Sequence, residues 1–410
     1  MKWRLHIGPA TLVAAAFIGP GTVTVCSLAG VIHGYALLWA LLIAILFTVT
    51  LQEMAARWGV ISGKGLAAGL IQQASSKSQK LLWMLLIGAA IFVGNAAYEA
   101  GNISGGVLGL ESLVPNSSLH TGEIKLNYWS WLIGLIAAAL LYRGRYRMIE
   151  RFLVGLVSLM SLCYIAAAVA VKPDWLAVLN GLFLPKLSSF DALIIVALMG
   201  TTIVPYNLFL HASLVRERWQ GPKDLAKARK DVYVSIVIGG LISMAIVICG
   251  AASNATTIDT AGDLAQSLEP ILGSWSNWFM GIGIMAAGIS SAITAPLAAA
   301  LVMKELFGWE GGFKSSRFRA VWATVIAIGI LLSNLDIRAI ELIKFAQFTN
   351  ALLLPMVAFF LIRITSNTKL MGSYANTKVQ KGLGWLAVLL TTVLAIRGLE
   401  RVFEVNWLFG

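Results

Sequence analysis

The sequence predicts an all-α integral membrane protein of eleven transmembrane helices, and three observations carry that prediction. Hydrophobic residues make up 58% of the 410-residue chain and charged residues only 12%, well outside soluble-domain composition. Mean hydropathy is +0.81. The apolar residues also fall into runs of about 20, the length at which a helix crosses the hydrocarbon layer. In order, these runs occupy 8–32, 35–56, 81–108, 128–142, 152–171, 191–215, 232–252, 274–303, 318–334, 340–364 and 383–404. No connection between them is long enough to fold as a domain of its own.

The net charge of +12 follows the membrane rather than a nucleic acid. Basic residues gather in alternate connections: Arg143, Arg145, Arg147 and Arg151, then Arg216 through Lys230, then Lys304 through Arg319, then Arg363 through Lys381. Connections of the other parity carry few, and the stretch with Asp259, Asp263 and Glu269 is acidic. This is the positive-inside pattern. It places the N-terminus in the cytoplasm and the C-terminus outside, in the inner (plasma) membrane of a bacterium. The lipid bilayer is the expected surrounding, and no nucleic-acid partner is implied. Cys26, Cys163 and Cys249 all lie inside apolar runs and form no metal or disulfide pattern.

The first and sixth runs share an interruption. Gly19-Pro20-Gly21-Thr22 breaks one, and Val204-Pro205-Tyr206-Asn207 breaks the other. Proline removes a backbone donor and clashes with the preceding turn, so each run unwinds at mid-depth. Freed backbone groups survive there only against protein or a water-filled cavity. Two such breaks at corresponding places in two halves point to a carrier's binding site. Residues 1–172 and 186–365 then form two halves of five helices, the second inverted relative to the first. The helix within 381–410 is an addition. This is the LeuT-type arrangement of a 5+5 inverted repeat with broken helices 1 and 6.

Four stretches in order resemble the NRAMP metal-ion transporters. They are the first break, Leu51 through Ala67, the run Pro205 through Arg218, and Gly288-Ile289-Ser290-Ser291-Ala292-Ile293-Thr294. The resemblance covers nearly the whole chain. It implies membrane transport and no enzymatic reaction, and no P-loop or G-x-S-x-G elbow is present. It implies that the metal in this family is held by an aspartate in the first break and a methionine in the sixth helix, where this chain has Gly19 and Val204. Tyr206 stands where histidine is usual, Thr22 where asparagine is usual, and Ala96 where the third helix carries an aspartate ahead of Glu99.

The chain is therefore a divergent member of the type, lacking the metal-binding Asp and Met. The expected substrate site comprises Ala16, Gly19, Gly21, Thr22, Thr201, Val204, Tyr206, Asn207 and Gln347, gathered about one midplane cavity. It has hydroxyls, amides and free backbone groups but no carboxylate, thioether or imidazole. Soft metals prefer sulfur or imidazole, and hard ones prefer carboxylate oxygen. Helix N-termini favour anions.

The preferred expectation is a secondary carrier of a small oxyanion such as bicarbonate. Because an anion enters a negative-inside cell at a cost of about 2.3 kcal/mol per charge per 100 mV, it is coupled to sodium. Ser290, Ser291 and Thr294 are the expected sodium ligands, although such hydroxyls also bond their own helix. The alternative is a divalent cation, magnesium- or manganese-like, proton-coupled or uncoupled. A third reading, a transport-dead scaffold, fits poorly with two retained breaks. Glu99, His211 and Arg218 are assigned to gating or to a relic proton route, with Glu99 and Arg218 in one buried network. Glu341 and Lys344 are expected to pair. No cofactor is implied, and no transition metal.

Overall fold

The computed structural model describes residues 18–114, 118–121, 124–144, 147–185 and 191–403. Helix α1, Pro20–His33, opens on the first predicted break, with Gly19 extended ahead of it (φ −99°, ψ −174°). Then follow α2, Leu38–Ser62; α3, Lys77–Leu113; α4, Tyr128–Arg143; and α5, Arg147–Ala170. The sixth expected span is two helices, α6, Ala192–Thr202, and α7, Pro205–Arg218, with only Ile203 and Val204 between them. The remaining long helices are α8, Leu225–Ala252; α9, Ser276–Phe307; α10, Ser316–Ser333; α11, Ala339–Thr365; and α12, Lys378–Phe403. Among the described residues nine helical stretches are long and apolar enough to cross a membrane, with Pro20–His33 and Tyr128–Arg143 as shorter apolar helices. The expected spans overlap these helices, and residues 8–17 of the first lie outside the described residues.

Several helices outrun the apolar runs that predict them. α3 begins at Lys77 and α8 at Leu225 because polar residues prolong a helix into water as readily as apolar ones do. One feature was not expected at all. The connection between α3 and α4 forms a short antiparallel hairpin, β1 (Ser118–Thr121) with β2 (Ile124–Asn127), in which Ser118 pairs with Asn127 and Thr121 with Ile124. Eight strand residues with alternating character, as in Ile124-Lys125-Leu126-Asn127, suffice for a two-stranded ribbon, too short a signal to stand out beside the apolar runs.

Burial separates centre from periphery. The most apolar part of Ala192–Arg218 is 94% buried, against 28% for that of Lys378–Phe403. The broken span is therefore core, and α12 leans on it from outside. α1 touches α8, α6, α11, α3 and α9, which puts the first break at the middle of the bundle. Small residues allow this crowding. Gly106 on α3 and Gly288 on α9 meet backbone to backbone, and Gly30 on α1 lies on the Val247–Ala251 backbone of α8.

At one end, buried charges join α2 to distant elements. Arg57, only 1% exposed, donates from Nε to Glu53 Oε1 (3.0 Å) and from Nη2 to Asn376 Oδ1 (2.7 Å). It also donates to the Tyr374 carbonyl. Glu53 accepts further bonds from Arg229 Nε (2.8 Å) and Gln380 Nε2 (3.0 Å). Every charge here has a partner, the condition on which burial of ions is tolerated.

Candidate functional site

Four of the helices carry a side-chain cap, and the two that begin at the proline breaks do not, like α2, α8, α9 and α11. Ser76 caps α3, Asn127 caps α4, Asp191 caps α6 and Ser315 caps α10. Gly19 and Val204, the N-cap positions of α1 and α7, offer no side-chain acceptor. Each restart carries proline at its first position, where the missing N–H costs nothing and φ is already helical. The remaining first-turn donors and the helix dipole are left for other partners.

The two breaks meet. Thr22 Oγ1 and Thr201 Oγ1 lie 2.7 Å apart, both fully buried. Gln347 of α11 sits across them. A side chain at Gly21 would overlap its amide, and one at Gly200 would overlap its backbone carbonyl. On the other side the ring of Tyr98 on α3 packs at a tilt against Tyr206 of α7, centroids 5.3 Å apart at 60°, and Gln347 is among the polar neighbours of Tyr98. Pro20 itself is held by Gly105 of α3, where a methyl group would strike the proline ring.

Thr22, Thr201, Gln347 and Tyr206 are thus brought to one place, with Gly19, Gly21, Val204 and Asn207 in the breaks beside them. The two threonine hydroxyls in the middle of this group are in direct contact. Ala16 lies outside the described residues. The gathered groups carry unused hydrogen-bonding capacity: Gln347 Oε1, Asn207 Oδ1 and the Tyr206 hydroxyl are buried without a hydrogen bond. So are Thr24 Oγ1 on α1 and Asn350 Nδ2 one turn beyond Gln347. Burying a polar group unpaired costs about 1–3 kcal/mol, so a cluster of them marks a place shaped for something polar. Tyr98 and Asn350 are the members that the sequence reading missed. The signal for Asn350 was its three-residue spacing from Gln347 on a helix.

The predicted coupling ligands divide. Thr294 Oγ1 donates to its own helix, to the carbonyls of Ser290 and Ser291 (both 3.2 Å). Ser291 Oγ is buried with no hydrogen bond. Ser290 is buried as well. α9 does touch α1, and Thr294 is among the polar neighbours of Tyr206.

The expected buried network between Glu99 and Arg218 is not formed. Glu99, fully buried, accepts from Asn102 Nδ2 (3.4 Å), and its side chain lies over Gly329 of α10. Arg218 is exposed at the last turn of α7 and stacks on Trp219 at 5.2 Å. Seven residues past His211, it has left the bundle interior. His211 stays inside, donating from Nδ1 to Gln52 Oε1 of α2 (2.7 Å), with Nε2 unbonded. Glu341 and Lys344 pair as expected, at 2.8 Å, with Arg338 joining them. Among the described residues no three His, Cys, Asp or Glu side chains come together.

Broken helices that meet inside an all-helical membrane bundle define a transporter of the LeuT-type fold, and the comparisons place the chain more narrowly. The family described as Nramp, natural resistance-associated macrophage protein-like, matches residues 10–400, and the chain belongs to that family. It is 29% identical over 96% of its length to a protein named divalent metal cation transporter MntH from Caldanaerobacter subterraneus subsp. tengcongensis, spanning 92% of that relative. It is also 29% identical to metal transporter Nramp1 of Populus trichocarpa, over 97% of this chain and 75% of that one. Among solved structures, the Eremococcus coleocola manganese transporter superposes with a TM-score of 0.76 at 22% identity, over 96% of this chain and 86% of that one. MHP1, a nucleobase-cation-symport-1 transporter, shares the fold at a TM-score of 0.58 and 15% identity, over 97% of this chain and 93% of that one.

Proposed function

We propose that the chain carries a small divalent cation across the membrane by alternating access, and that the ion crosses with much of its water in place. The relatives' names support the charge of the cargo. The observation that carries the hydrated form is the set of buried, unbonded acceptors Gln347 Oε1 and Asn207 Oδ1 beside the Thr22–Thr201 contact. Waters on a dication point their hydrogens outward, and neutral acceptors suit them. Magnesium-like ions dehydrate reluctantly and keep several waters. A soft transition metal would want sulfur or imidazole, and Gly19, Val204 and Tyr206 supply none. A negative-inside potential assists by about 2.3 kcal/mol per charge per 100 mV. In this reading residues 1–172 rock against 186–365, the basic connections face the cytoplasm, and Glu99 and His211 serve gating.

A second reading, a small oxyanion such as bicarbonate with sodium at Ser290, Ser291 and Thr294, is favoured by one observation. The two half-helix N-termini, with no side-chain cap and no acidic residue in their first turns, suit negative charge. The comparisons lend support to neither bicarbonate nor sodium.

Uptake into proteoliposomes decides between them, with magnesium, manganese and bicarbonate in parallel and external sodium or choline. Saturable magnesium uptake that ignores the sodium replacement is expected. Bicarbonate uptake that stops in choline, with no cation uptake, would replace the first reading by the second.

A further inference from the structure

Away from the centre, a cleft of about 760 Å³ opens where the end of α11 and the start of α12 meet the short helix Leu66–Gln72. Arg363, Lys369 and Lys381 line it, and no aspartate or glutamate does. All three cations are exposed. Crowded like charges repel and draw a counter-anion. Gln73, also in the lining, has a buried Nε2 with no hydrogen bond, a further donor awaiting an acceptor.

The apolar part of the lining is ordered with respect to the charges. Phe359 stands four residues before Arg363 on α11, and Trp385 four residues after Lys381 on α12. Four residues make about one helical turn, or roughly 5.4 Å. Both helices therefore place an aromatic ring one turn deeper in the bundle than the cation. The rings pack edge to face, 5.7 Å apart, and are 36% and 46% exposed. The Arg363 guanidinium lies 5.4 Å over the Trp83 ring, which steadies its position. Cation above, exposed aromatic below, on two neighbouring membrane-spanning helices, is the profile of a headgroup meeting its acyl chain.

We propose that this cleft binds an anionic phospholipid, its phosphate held by Arg363, Lys369 and Lys381 and one acyl chain lying along Phe359 and Trp385. A free phosphate would use the cations but have no use for the rings.

The test uses the full chain purified in a neutral detergent and titrated with dioleoyl phosphatidylglycerol, dioleoyl phosphatidylcholine or inorganic phosphate. Binding is read by native mass spectrometry and by the melting midpoint. Phosphatidylglycerol is expected to bind and raise the midpoint while the other two do neither. Lys369→Gln with Lys381→Gln weakens that binding by about thirtyfold, at roughly 1 kcal/mol per surface cation. Trp385→Ala weakens it as well, and a control pair in another basic connection, Lys314→Gln with Arg317→Gln, does not. The lysine and control pairs are exposed, so unchanged midpoints without lipid show that both variants fold. Equal loss in the control pair would reduce the effect to general surface charge and overturn the proposal. Equal binding of phosphatidylcholine, or of inorganic phosphate with indifference to Trp385→Ala, would overturn it too.

Discussion

The hydroxyls of Thr22 and Thr201 share a 2.7 Å hydrogen bond although 179 residues separate them. Each stands beside a proline break in a different half of the chain, so this bond ties the first turn of α1 to the last turn of α6. Thr22→Val keeps the shape, removes one hydroxyl of the pair and takes this bond from Thr201 in a buried place. Uptake should fall at least several-fold, while the melting midpoint drops only by the equivalent of about 1–3 kcal/mol. Uptake that matched the parent protein's would show that the contact is structural alone.

Gly21 and Gln347 form a pair in which neither can grow. A methyl group at position 21 enters the Gln347 amide, although alanine improves helix propensity by about 1 kcal/mol. Gly21→Ala should abolish transport, and Gly21→Ala with Gln347→Ala should recover folding stability but not transport. A thermodynamic cycle over the four proteins measures the coupling; additive stabilities would contradict the contact.

Gly19 and Val204 decide which metals the centre accepts. Calorimetry should show no micromolar manganese binding to the parent protein. Gly19→Asp with Val204→Met supplies a carboxylate and a thioether, and manganese binding should appear in that variant. Its effect on native uptake also discriminates between the readings: a new negative charge repels an oxyanion but not a dication.

Arg57 is the centre of the charged network that ties α2 to α8 and α12. Removing one member of a buried ion pair typically costs about 3–5 kcal/mol. Arg57→Met should therefore lower the melting midpoint in detergent sharply. Glu53→Gln should do so too, because Arg57 then keeps Asn376 and Tyr374 but loses its counter-charge. A midpoint within a degree of the parent's in both variants would mean that water, not protein, satisfies these groups.

Thr294 and Ser291 separate coupling from packing. The Thr294 hydroxyl is spent on its own helix, so Thr294→Val should leave the ion dependence of uptake unchanged. Ser291 Oγ is unspent, so Ser291→Ala is the variant that moves the sodium requirement if sodium is coupled. Indifference to both substitutions and to choline would remove these residues from any coupling site.

What the sequence determined by itself was local in physical origin. Proline and glycine set backbone conformation within a turn of where they stand, so the restarts at Pro20 and Pro205 were legible to the residue. Apolar runs located the membrane-spanning helices because bilayer thickness fixes a length, and Glu341 with Lys344 paired because three residues make one helix face. Tertiary structure decided the rest. Tyr98 joins the site only because α3 packs against α7, and Asn350 is notable only once burial shows its amide unpaired. Arg218 was misjudged because its helix carries it out of the core, which its spacing from His211 does not reveal. Glu53 and Arg57 are four residues apart in any helix, yet Arg229 and Gln380 bond Glu53 from 176 and 327 residues away. Those distances lie outside any local pattern, and only the packing of the whole bundle brings such groups together.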